Sequence, residues 1–367
     1  MRSTTPVILL LMLISVAFVS PVQGQVEPVG PILANVWNRA IRVHDVGSNF
    51  EWVHENIDLR AGELIWSPDG CHLLIQDIMN QWIIALPFQD RLREIPVEDV
   101  FGEPLWADDG ETIVLVSYHQ DTDQSRLLRV DVSRLRVETF ASLDGAISLR
   151  KSLSPQELLV QQDGYMRVLN MASLALEDFG SALYPRYPAA MSTPYHGVIL
   201  SPDYRQQAAY HLPYYSFLGP DGSTEIDVDD LNVTPGIEVI DLNNGENQAF
   251  DLFGEYVVGM TWAPSSERLA VLTIDTPLEK FTFHLVIIDL VSGTQTKVYT
   301  YRSAYYPQYG GYLPSWSPDE KMITVQSRDG LLLYDLELSN VETIDSMLEG
   351  PVFWSPIMDY TAGHTCR

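Results

Sequence analysis

Hydrophobic residues fall along this chain in short clusters, and no cluster keeps a helical period for long. Runs of four to eight residues rich in Val, Ile, Leu and Tyr alternate with Pro, Gly, Ser, Asn and Asp. Leu73-Leu74-Ile75, Ile113–Val116, Leu269–Leu272 and Ile323-Thr324-Val325 are examples. Branched and aromatic side chains suit a pleated, half-buried surface, and Pro and Gly break it, so these runs predict β-strands. The longest apolar stretch, Val7–Val19, follows Met1-Arg2. It is too short to span a bilayer comfortably. Val22 and Gly24 sit three residues and one residue before Gln25. Residues 1–24 therefore read as a signal peptide, followed by a short linker over 25–31. No later stretch reaches eighteen apolar residues. The mature chain is expected to lack a transmembrane segment and to be exported: secreted, periplasmic or in the cell envelope.

The strand runs are organised by a repeat. A bulky residue followed by Ser/Ala, Pro/Asp and Asp/Ser recurs as Trp66-Ser67-Pro68-Asp69-Gly70, Trp106-Ala107-Asp108-Asp109-Gly110, Leu153-Ser154-Pro155, Leu200-Ser201-Pro202-Asp203, Trp262-Ala263-Pro264-Ser265, Trp316-Ser317-Pro318-Asp319 and Trp354-Ser355-Pro356. Successive anchors are 40, 47, 47, 62, 54 and 38 residues apart, as differences of those positions. Pro and Asp pre-set tight turns, so each anchor predicts a turn between two strands. An apolar strand follows, then a connection, then a strand that usually ends in Asp (Asp131, Asp241, Asp289, Asp335). A short turn and a fourth strand complete the unit. Four antiparallel strands every 40–60 residues predict an all-β fold, a single β-propeller.

The WSPDG anchors and Asp-ended strands resemble the TolB-type or WD40-like (PD40) propeller repeat over nearly the whole mature chain. The likeness is strongest at Trp66, Trp106 and Trp316 and weakest at Leu153 and Leu200. It implies the fold and a tendency toward exported, partner-binding roles; it implies no reaction. The repeat's Trp, Pro and Asp are structural in that family. The last anchor lies 13 residues from the end, too few for another blade. The missing strands are expected at Ile32–Trp37, Ala40–Asp45 and Phe50–His54, joined by Val352–Trp354. The propeller then spans 32–356 with a tail over 357–367, in seven blades, or in six if a weak repeat is not a blade.

The cysteines bear on this closure. If only one C-terminal strand enters the composite blade, the tail emerges on the face of the WSPDG turns beside Cys71, and a Cys71–Cys366 disulfide is within reach. If the tail forms a second strand, Cys366 moves to the opposite face. Two unpaired cysteines are the plain alternative.

Strand alternation sorts the loops. Anchor turns and third-to-fourth turns share one face and are short; the long excursions (184–197, 211–236, 275–280, 301–314) share the other. Insertions confined to one face mark a binding face. These loops are rich in tyrosine, which gives rigid contact area at small entropic cost. The candidate contact residues are Tyr184, Tyr187, Tyr214, Tyr215, Tyr305, Tyr306, Tyr309, Tyr312 and His211. The alternative is that the tyrosines only pack the loops onto the disc. Asp227, Asp229 and Asp230 form a weak candidate Ca²⁺ set, without the full calcium-loop spacing.

Charge and chemistry narrow the rest. Asp and Glu total 49 against 22 Lys and Arg, a formal charge of −27. That argues against nucleic acid, which needs a cationic face. There is no G-x-S-x-G elbow and no H-E-x-x-H motif. The expectation is a non-catalytic, monomeric propeller without a cofactor that binds a protein or glycan partner through its Tyr-rich face. A carbohydrate-active lyase or hydrolase using loop-face His and carboxylates, and a structural envelope subunit, are the alternatives.

Overall fold

The computed structural model describes residues 28–366, apart from 38, 49, 56–58, 78, 98, 164, 180–195, 212–214, 217–224, 227–235, 254, 275–280, 304–312, 328–329, 346–351 and 361–365. Seven four-stranded antiparallel sheets form a seven-bladed propeller. Blades 1 to 6 are continuous in sequence, spanning 59–94, 105–144, 147–178, 196–251, 256–303 and 315–345. Blade 7 is composite: Val352–Trp354 pairs with Ile32–Trp37, which continues to Ala40–Asp45 and Glu51–Glu55. The weak repeats at Leu153 and Leu200 are thus both blades, and six is excluded. Closure removes the free edges that a row of open sheets would present.

The core lies between blades. Six hydrophobic clusters each straddle one junction, and five of them contain an anchor tryptophan. Each anchor indole packs against the preceding blade and donates its N–H to a carbonyl of that blade's first strand. Trp66 reaches Phe353 O at 3.1 Å, Trp106 reaches Ile65 O at 3.2 Å and Trp262 reaches Ile199 O at 3.3 Å. Trp316 reaches Thr261 O at 3.4 Å, and Trp354 reaches Ser315 O at 3.1 Å. A buried indole needs an acceptor, so the bond fixes the ring in one orientation.

The conserved grammar of the turns has a local cause. In blades 1, 4 and 6 the anchor serines Ser67, Ser201 and Ser317 are fully buried. Each hydroxyl donates to the turn Asp (Asp69, Asp203, Asp319) and accepts a backbone N–H from the returning chain (His72, Gln206, Met322). The strand-ending Asp does similar work on the next turn. Asp131, Asp241, Asp289 and Asp335 each accept backbone N–H groups two or three residues on, and Asn170 takes that place in blade 3. Short side chains capping their own turns keep both kinds of connection tight.

Blade 7 closes the ring through the tail. Ser355 and Tyr360 share a hydroxyl contact of 2.6 Å, and Tyr360 donates to Gly70 O at 2.9 Å in the first WSPDG turn. Gly70 has φ +68°, and a Cβ there would lie 2.5 Å from the Tyr360 hydroxyl. Burial pushes the Tyr360 hydroxyl's pKa well up, which keeps it a donor. Cys366 is joined to Cys71 by a disulfide with Cα atoms 5.2 Å apart. At the other end, fully buried Asp45 accepts from the backbone N–H of Val29, Gly30 and Gly47 and from the Ser48 hydroxyl. Burial alone would raise its pKa; the four donors together hold it below the usual carboxylate value.

The closure makes three predictions. Tyr360→Phe should cost about 1–3 kcal/mol, because it leaves Gly70 O and Ser355 short of a partner. Reducing the disulfide should cost about 2–5 kcal/mol; urea denaturation with and without reductant reads both, and unchanged midpoints contradict the closure role. A carboxyl with a depressed folded-state pKa stabilises fully above its unfolded pKa, near 4, and loses this as pH falls through the folded value. Asp45→Asn should therefore be less stable than wild type at pH 7, and the gap should narrow below about pH 4 in pH-dependent melts.

Candidate functional site

The two faces of the disc differ in their connections. Anchor turns and third-to-fourth turns lie on one face, and none of them exceeds six residues between the described strands. The second-to-third and blade-to-blade connections lie on the other. Long ones there are residues 179–195, 212–235 and 304–314, with 275–280 shorter. All four belong to one sector, from the junction of blades 3 and 4 to that of blades 5 and 6. Elsewhere on this face, 346–351 matches 275–280 in length, and the longer 95–104 runs back along blade 2: Val100 bridges Ser117 and Phe101 N–H bonds Val116 O at 2.8 Å. The attachment points of these connections thus form one crescent of the ring, at blades 4 and 5.

Blade 5 supports this crescent with a buried charge cluster. Glu255 sits just before the first strand, Thr273 near the end of the second, His284 near the start of the third, and Lys297 and Thr300 on the fourth. The strand register sets Thr273 opposite His284, and His284 opposite Thr300. Glu255 is 7 % exposed. Its carboxylate accepts from the Thr273 hydroxyl at 2.5 Å and from Lys297 Nζ at 2.5 Å, with His284 Nε2 at 3.4 Å. His284 Nδ1 contacts the Thr300 hydroxyl at 2.7 Å. A buried carboxylate is tolerable because charged and polar partners engage it. The cluster ties the linker from blade 4 to the second, third and fourth strands of blade 5, the strands that bear the 275–280 and 304–314 connections.

The sequence-predicted contact residues fall as follows. Tyr184, Tyr187, Tyr214, Tyr305, Tyr306, Tyr309 and Tyr312 lie outside the described residues, as do Asp227, Asp229 and Asp230. Tyr215 begins a two-residue strand, Tyr215–Ser216, that pairs with Glu225–Ile226 and makes a hairpin within the blade 4 connection. His211 ends the second strand of blade 4, in register with His196 on the first. His119 ends the second strand of blade 2, in another part of the ring. Among the described residues no group of three His, Cys, Asp or Glu side chains could hold a metal ion. Tyr301, which opens the Tyr-rich stretch, is a packing residue: it stacks on Phe283 at 5.3 Å and donates to Gln326 O at 3.2 Å in blade 6.

Other exposed aromatics, which the sequence reading missed, stand on the same face. Phe101 is 39 %, Tyr165 51 % and Phe253 52 % exposed. Each lies on a loop-face connection or at a loop-face strand end, and no local pattern distinguishes them from buried aromatics in the sequence.

No protein-family model matches the chain, and no curated protein does. Solved structures similar to it include TolB from Acinetobacter baumannii, at 14 % identity and TM-score 0.36, covering 88 % of this chain and 82 % of that one. An oligogalacturonate lyase in complex with manganese gives 12 % identity and TM-score 0.48, over 78 % and 79 %. The Swd1 β-propeller domain from Myceliophteria thermophila gives 9 % and 0.44, over 82 % and 89 %. At these values the likenesses carry no argument about this chain. Among the described residues no helix is long and apolar enough to cross a membrane.

The blade 5 cluster makes its own prediction. Lys297→Met should destabilise by about 1–3 kcal/mol, less than a fully buried pair because Lys297 is a third exposed. Glu255→Gln in the same chain should recover part of that loss. Chemical denaturation of the four-member cycle measures the coupling, and strictly additive effects would mean that the pair is not coupled.

Proposed function

We propose that this chain is an exported, non-catalytic propeller that binds a protein partner through the crescent of connections over blades 4 and 5. The observation that carries this reading is the one-sided distribution of the long connections. A ring that needed loops only to join strands would keep them short on both faces, as it does on the anchor face. The exposed Phe101, Tyr165 and Phe253 on the same face support it. The contact residues proposed are Tyr187, Tyr214, Tyr215, Tyr305, Tyr306, Tyr309 and Tyr312, with Tyr184 and His211 at the margins. Tyr301 is left out because it holds blade 5 to blade 6.

Export rests on the N-terminal pattern: residues 1–24 are proposed to be removed before Gln25, and the acidic mature chain is proposed to act outside the cytoplasm as a monomer. A protein partner is preferred to a glycan because the connections are long and spread over two blades, which suits a broad contact.

The test is substitution within the crescent. Changing Tyr305, Tyr306, Tyr309 and Tyr312 to Ser should abolish retention of the extracellular or envelope partner by the immobilised chain, while the melting temperature holds. Retention that survives these changes, or that is lost only when anchor-face residues such as Asp108 are changed, would overturn the reading.

A further inference from the structure

The anchor face carries a cavity of about 510 Å³ between blades 2 and 3. Its apolar wall is formed by Leu105, Trp106, Leu158 and Met171, with Arg129 and Asp108 at the rim. The volume falls in the range of small-molecule sites, roughly 300–1,000 Å³. Its position in the repeat says what shape it accepts.

Five junctions are filled by an anchor indole, and the register shows what packs on each. Trp66 pairs with Leu73, Trp106 with Ile113, Trp262 with Leu269 and Trp316 with Ile323. The residue just before that pairing partner faces the next blade's tryptophan. In blade 1 it is His72, whose ring stacks on Trp106 at 5.9 Å. In blade 5 it is Arg268, whose guanidinium lies 5.0 Å from the Trp316 ring centre. In blade 6 it is Met322, packed with Trp354. In blade 2 the same position is Thr112, and Thr112 lines the cavity.

The acceptor is displaced in the same way. Every anchor indole donates to the residue just before the preceding blade's anchor: Phe353, Ile65, Ile199, Thr261 or Ser315. For blade 3 that residue is Leu105, which also lines the cavity. Blade 3 has Leu153 where the tryptophan would stand. The register slips between Ser152 and Ser154, and Leu153 is 39 % exposed and no part of the cavity wall. The cluster at this junction contains no tryptophan. The neighbouring junction, which also lacks one, is bridged otherwise: Tyr204 donates to Arg150 O at 3.1 Å and Lys151 to Pro202 O at 2.8 Å.

We propose that the cavity is a binding site for a small molecule built on an indole-type ring: planar, apolar and bearing one N–H that donates to the Leu105 carbonyl. The five filled junctions are the template, since the same fold holds that ring in that place with the same bond. Asp108 at the rim can meet polar substituents, and Arg129, whose guanidinium lies 5.2 Å from the Phe140 ring centre, offers a second charged group. This site is on the face opposite the crescent and does not depend on the partner-binding reading.

Calorimetric titration of the folded mature chain with indole tests it. Saturable binding is expected, with N-methylindole weaker by about tenfold because it lacks the donor. Met171→Trp, which brings an indole into the cavity from its wall, should abolish indole binding. If that variant fails to fold, Thr112→Trp should block the cavity from the blade 2 side with the same loss. Absence of indole binding to the wild type, equal affinity for N-methylindole, or undiminished binding by a folded Met171→Trp or Thr112→Trp chain would each overturn the proposal.

Discussion

The architecture depends on one repeated bond, the anchor indole N–H to a carbonyl of the preceding blade. Sheets packed face to face by hydrophobic contact alone can slide and rotate, because apolar burial has no direction. A hydrogen bond from a rigid, buried ring does have one. It fixes how far each blade turns relative to the last, and five such bonds set the angle that lets seven blades close. At Trp66 and Trp316 the Ser and Asp of the anchor turn hold the chain next to the tryptophan, so there turn chemistry and blade packing are one device.

The ring is then irregular in a consistent way. The arc from blade 2 to blade 4 lacks the indole bond. At blades 3 and 4 a tyrosine and a lysine replace it with backbone contacts, and at blades 2 and 3 space is left. On the opposite face the long connections are attached from the end of that same arc onward, at blades 4 and 5. The regular half of the repeat builds the disc, and departures from it supply the features that distinguish this chain from a bare scaffold.

Much of this was legible in the sequence, for identifiable reasons. WSPDG motifs and Asp-ended strands are local, since each side chain caps its own turn, and so the blades and their boundaries could be read directly. The composite blade could be read because an anchor near Trp354 with no room to continue requires strands from elsewhere. Glu255 could not be found this way. It precedes a strand in an unremarkable stretch, and its partners Thr273, His284 and Lys297 come from three other strands. Leu153 was visible as a weak repeat, yet the register slip that turns it outward follows from pairing and not from residue type. Composition groups Tyr301 with the tyrosines after it, while the fold places it on the fourth strand of blade 5, against blade 6. The tail's bond from Cys366 to Cys71 could be read as one of two alternatives, whereas the Tyr360 contact with Gly70 could not.

The composite blade also orders events in time. Ile32–Trp37 is made early, but its pairing partner Val352–Trp354 lies far along the chain. Until then the three N-terminal strands of that blade expose an open edge, and the Cys366 thiol needed for the lock comes later still. A chain that emerges N-terminus first, from a ribosome or a translocation pore, must hold an unfinished ring until residues 352–366 arrive. Ring closure therefore waits on that segment, and a product that stops short of it is marked by an unpaired edge and a missing Cys71–Cys366 bond.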